Sequence, residues 1–106
     1  MRLNVVVEER EMNVEVPSYV VNEGDEFFDR MDQDMDGGVQ MGKEWVENPD
    51  TQQRCQVAAE RLATALDTDN QPTVTMMAGY ILRRMPGVQE VRVATEGELQ
   101  ETEFIL

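Results

Sequence analysis

The chain has 106 residues, with 22 acidic against 9 basic side chains, no histidine and a formal net charge of -13. That length suits one domain, residues 1–106, burying roughly two-thirds of its unfolded surface, and an apolar fraction of 41% is too high for a disordered acidic chain. Without histidine there is no imidazole for acid–base work near neutral pH, and with Cys55 as the only thiol both an intramolecular disulfide and a thiolate metal cluster are excluded.

Leu3, Val5 and Val7 alternate with other residues, and Met12, Val14 and Val16 alternate with polar ones across a charged turn, which predicts a two-stranded hairpin. The valine run at 5–7 is too short for the core of a signal peptide, and the longest uncharged stretch, 70–82, falls short of the ~20 residues that span a bilayer. A soluble cytoplasmic protein with no membrane partner is the expectation. Pro17 closes the second strand and opens a helix over 17–36, because its fixed dihedral suits a first helical turn and it lacks a ladder donor. Val20, Gly24, Phe27, Phe28, Met31 and Met35 share one face of that helix, while Asp25, Asp29, Asp32 and Asp36 form a ridge on another. Gly37-Gly38 is the expected terminator.

Residues 39–47 have no clear period and read as a packed connection with at most a turn of helix, carrying the only tryptophan, Trp45. Asn48-Pro49-Asp50 then supplies a cap, a first-turn proline and an acid at the positive end of a second helix, whose apolar stripe is Cys55, Ala58, Ala59, Leu62 and Leu66. A third follows Pro72, with Val74, Met77, Ala78, Ile81, Leu82 and Met85 on its stripe and Arg83 and Arg84 at its cation-favouring end. The short side chains of Ala78 and Gly79 invite close approach by a neighbour. Strands at 88–95 and 99–106, around a turn at Glu96-Gly97, complete the order ββαααββ. The expected fold is α+β, a four-stranded antiparallel sheet with about three helices on one face.

Function is read mainly by exclusion. Cys55 falls on an apolar stripe and is expected as a buried structural thiol; no glycine pattern matches a nucleotide loop. A non-catalytic domain acting through protein contacts is therefore expected, with a partner of basic surface. The strand Phe104-Ile105-Leu106 is apolar on both faces, which suggests a homodimer through that strand. Nucleic acid is not an expected partner, since Arg83-Arg84 is the only basic cluster, although an acidic surface can mimic one. Arginine outnumbers lysine eight to one, Lys43 standing alone, and such an acidic surface suits life in high salt.

One motif carries chemistry of its own. Asp32-Gln33-Asp34-Met35-Asp36-Gly37-Gly38-Val39 resembles the opening of an EF-hand calcium loop, where alternating carboxylates, a turn glycine and a carbonyl surround a hard cation. The resemblance implies Asp32, Asp34, Asp36 and the Gly38 carbonyl as calcium ligands. The closing position of the loop is Lys43, so a one-residue insertion is needed to bring Glu44 into the bidentate role. A continuous helix through Asp36 excludes this arrangement, because it turns Asp34 to the far side from Asp32 and Asp36.

Overall fold

The computed structural model describes residues 1–95 and 97–106. The chain opens with strands β1 (Arg2–Val7) and β2 (Arg10–Glu15), which pair antiparallel with Val5 opposite Met12. An ion pair of 2.7 Å between Arg2 and Glu15, opposite one another in register, holds the open end of this hairpin. Leu3, Val5, Val7 and Val14 point into the core, as their period of two requires.

The helix expected over 17–36 is two helices, α1 (Ser18–Glu23) and α2 (Asp25–Asp36), parted at Gly24. A Cβ at Gly24 would lie 2.4 Å from the Val20 carbonyl oxygen and 2.9 Å from the Phe28 ring, so only glycine permits this corner. The break buries Val21 together with Phe28, Met31 and Met35, and leaves Phe27 exposed, contrary to its place on the expected stripe.

Residues 39–47 hold no helical turn. They form a separate hairpin, β3 (Val39–Met41) and β4 (Glu44–Val46), in which Val39 and Met41 are buried and Gln40 faces out. Three residues are too few to display a period, which is why this segment carries no legible signal in the sequence.

Helix α3 (Thr51–Asp67) begins with a capping box: Asp50 accepts from the Gln53 N–H, and the Gln53 side chain accepts from the Asp50 N–H. Helix α4 (Gln71–Arg84) is capped by Asn70, which accepts from Thr73 N–H. Cys55, Ala58, Ala59 and Leu62 of α3 and Val74, Ala78 and Ile81 of α4 are buried as their stripes predict. Gly79 also does what its size suggests, since a Cβ there would stand 3.0 Å from Val20 and 3.2 Å from Phe28.

Strand β5 (Glu90–Val93) follows, then one turn of 3₁₀ helix (Leu99–Glu101) and strand β6 (Glu103–Ile105). The turn expected at Glu96-Gly97 falls partly outside the described residues. The last strand is shorter than expected because buried Gln56 of α3 pins its approach, donating to the Gln100 and Thr102 carbonyls at 3.1 Å each.

The four-stranded sheet has the order β2-β1-β5-β6. It is mixed, and this corrects the antiparallel expectation: β5 runs parallel to β1, with Val5 beside Val91. The reason lies in where α4 delivers the chain. Pro86 to Gln89 emerge next to Met1 and Arg2, and Asn4 N–H donates to the Gln89 carbonyl at 3.0 Å, so β5 starts at the same end as β1. Among the described residues the fold is thus α+β with four α-helices, a mixed four-stranded sheet and a two-stranded hairpin. The sheet face bearing Leu3, Val5, Val7, Val14, Val91 and Val93 is buried, and each fully buried side chain contributes about 1.5–3 kcal/mol. Its other face, with Arg2, Glu11, Glu15 and Arg92, is open to solvent. Among the described residues no helix is long and apolar enough to cross a membrane.

Candidate functional site

The densest set of polar contacts lies where α2 meets α3 and α4. Asp25, Asp29, Asp32 and Asp36 recur at helical spacing along α2, and the arginines that close α4 stand opposite them. Arg83 grips Asp25 through two hydrogen bonds, of 3.1 and 3.2 Å. Arg84 reaches Asp29 at 2.9 Å and the Asp32 carboxylate at 2.9 Å. From α3, Arg54 approaches Asp36 at 2.9 Å and Asp32 at 3.4 Å, and its Nη1 also donates to the Asp32 carbonyl at 3.1 Å. Asp32 is the hub, because its Oδ1 also accepts the Tyr80 hydroxyl at 2.5 Å. The ridge is therefore a set of interhelical clamps. Those clamps also offset the unfavourable placement of aspartates near the C-terminal end of a helix dipole.

The protonation states within this knot follow from burial and charge. Burial, then the hydrogen bond to the Asp32 carboxylate, raises the Tyr80 phenol above its ordinary value. Burial, reinforced by the Asp32 charge and only partly opposed by Arg84, pushes the Cys55 thiol up to about 12. For Arg54 burial acts against the charged form, but Asp36 and Asp32 outweigh it and the guanidinium is raised; Arg84 is raised in the same way by Asp32 and Asp29. At neutral pH the phenol and thiol keep their protons and both guanidinium groups stay charged. The Tyr80 oxygen is then no base and the Cys55 sulfur no nucleophile. A depression of about 410 Å³ borders the knot, and four of its polar side chains, Asp32, Arg54, Tyr80 and Arg84, are engaged with one another or with α2, while Asn48, Asp50 and Thr51 line the rest.

The five residues implied as calcium ligands are not brought together. Helix α2 runs through Asp36, so Asp34 is turned away into solvent while Asp32 and Asp36 are bound by Arg54. Gly38 lies beneath the Trp45 indole, where a Cβ would sit 2.6 Å from Trp45 Cζ2. Glu44 stands on β4 and accepts from Gln100 Nε2 at 2.9 Å. Among the described residues no group of three or more acidic or thiol side chains is placed to hold a metal ion.

A second region was only partly legible in the sequence. Glu44, Glu98 and Glu101 surround a depression of about 670 Å³ between the β3–β4 hairpin and the 3₁₀ turn. Glu101 and Glu103 line another, of about 570 Å³, beside Phe104 on β6. None of these four carboxylates makes a salt bridge among the described residues. Trp45, on the same hairpin as Glu44, is 60% exposed where a packed connection was expected. The apolar end Phe104-Ile105-Leu106 was the one sequence signal pointing here, since Glu44 and Glu98 are far apart along the chain. Comparison with protein-family models, with curated proteins and with solved structures finds no match to this chain.

Proposed function

We propose that this is a non-catalytic acidic domain that works by binding a partner protein with a basic surface. The observation that carries the reading is where the cations go. Among the described residues every arginine except Arg61 is engaged in an ion pair, three of them in clamping α2 to α3 and α4. Internal pairing thus takes up most of the positive charge and leaves carboxylates without an ion pair elsewhere, notably Glu44, Glu98, Glu101 and Glu103, with Lys43 the one cation beside the first three among the described residues. A surface of one sign steers an oppositely charged partner and repels a like one. Two copies at -13 each oppose one another, which favours a different, basic partner over self-association. The buried thiol, the protonated Tyr80 and the lack of histidine support a binding role over a catalytic one.

Carboxyl-to-amine cross-linking in source lysate, read by mass spectrometry, tests the reading. Links should run from Glu44, Glu98, Glu101 or Glu103 to lysines of a basic protein surface. They should fade between ~50 and ~200 mM salt, as exposed charge interactions are screened over that range. Replacing Glu98, Glu101 and Glu103 by glutamine should also remove the links from Glu44, whose carboxylate is kept, while replacing Glu8 and Glu9 should not. Links that survive both salt and the triple replacement overturn the reading.

A further inference from the structure

We propose that the free edge of β6 is a docking strand, which takes an extended basic segment of the partner protein by strand addition. The inference rests on the basic-partner reading and adds where and how that partner binds.

The sheet has two edges, and they differ in kind. Strand β2 is a guarded edge: its exposed side chains, Arg10, Glu11, Asn13 and Glu15, are all polar or charged, the usual means of discouraging edge pairing. Strand β6 is paired on one side only, with Phe104 beside Val91 and Ile105 beside Glu90. Ile105 turns its carbonyl to Gln89 N–H, so on the outer side the alternate residue, Phe104, presents its backbone N–H and C=O with no neighbouring strand among the described residues, while Thr102 is already bonded to Leu99 and Gln56. Only one of its side chains, Glu103, is charged. Phe104 is half-buried toward the helices, and Ile105 and Leu106 are 38% and 71% exposed.

The chemistry of the occupant follows from the side chains along that edge. Glu103 shares the open sheet face with Ile105, and its cross-strand neighbour Arg92 is already held by Glu90 at 2.7 Å. Glu101 lies just before it, along the depression that runs beside Phe104. A strand laid against β6 meets carboxylates at Glu101 and Glu103 and apolar surface at Phe104 and Ile105. Directly opposed side chains of opposite charge, or both apolar, stabilise such a pairing. The segment that fits is short and extended, with lysine or arginine facing Glu103 and apolar residues facing Phe104 and Ile105. A second copy is the poorer fit, because two chains of net charge -13 repel one another. Main-chain pairing supplies the affinity and the flanking side chains the selectivity.

The experiment uses the full chain, isotopically labelled, with two peptides of arginine-valine-valine repeats that differ only in N-methylation of alternate backbone nitrogens. Methylation removes the edge hydrogen bonds and keeps every charge. The unmodified peptide should slow amide exchange at Phe104 and bind at least about tenfold more tightly than the methylated one. Ile105→Lys and Glu103→Lys, both at exposed positions, should each erase that preference while leaving the thermal midpoint in place. Equal binding of the two peptides, with perturbations away from β6, overturns the docking strand and leaves the basic-partner reading standing. Binding of neither peptide at low salt overturns both. Protection of Phe104 that grows with protein concentration alone assigns the edge to a second copy and overturns the proposal.

Discussion

The Tyr80 hydroxyl donates to the Asp32 carboxylate at 2.5 Å, joining the middle of α4 to the middle of α2 across 48 residues of sequence. The Tyr80 ring is buried and meets Phe28 edge-on at 5.9 Å between centroids, so one side chain serves both the apolar core and the polar knot above it.

Tyr80→Phe keeps the ring contact and removes the donor. The Asp32 carboxylate then loses one of its partners inside a half-buried site, and stability should fall by about 1–3 kcal/mol. Chemical denaturation checks this. Asp32→Asn should cost at least as much, since it also strips Arg54 and Arg84 of a counter-charge.

Alkaline pH should weaken the fold through the same residues. Cys55 is raised from 9.0 to about 12, and Tyr80 is raised from 10.0. Both groups bind protons more tightly when folded. Their contribution is whole below the unfolded values and is lost as pH climbs toward the folded ones. The urea midpoint should therefore hold through neutrality and fall progressively above about pH 9, and Tyr80→Phe or Cys55→Ala should each flatten that fall. A thiol reagent at neutral pH should label Cys55 only after unfolding.

Gly38→Ala places a methyl group 2.6 Å from Trp45 Cζ2 on a backbone with φ of +125°. The indole must move and the backbone is strained, so a loss of about 1–3 kcal/mol is expected. A shift in tryptophan emission should accompany it, because Trp45 is the only fluorophore of its kind in the chain.

Calcium should behave as one screening cation among others. With Asp32 and Asp36 bound by Arg54 and Asp34 facing solvent, the thermal midpoint should rise alike with calcium and magnesium, and with sodium chloride at matched ionic strength. Asp34→Asn should leave the response unchanged. A midpoint raised by micromolar calcium alone and lost in Asp34→Asn would restore the loop.

The local rules proved the more legible part of this chain. The stripes of α3 and α4 and the alternation of β1 depend on neighbours a few residues apart and can be read without knowing the fold, whereas the cap expected at Asn48 falls at Asp50 and the cap at Asn70 was not expected. The aspartate ridge was legible as a pattern but not as a role. Four carboxylates at helical spacing look like a solvated face until Arg54, Arg83 and Arg84 arrive from other helices.

Composition alone established the acidic surface, the absence of imidazole and disulfide chemistry, and enough apolar content for one core. Tertiary structure alone decided the parallel placement of β5, the corner at Gly24, the small β3–β4 hairpin and the pairing of the arginines. Each of these depends on contacts between distant residues, such as Arg83 with Asp25 across 58 positions, whose geometry no local period encodes. The charge of -13 was plain in the sequence from the start. Which carboxylates remain free to meet a partner depends on which ones the folded helices have already claimed.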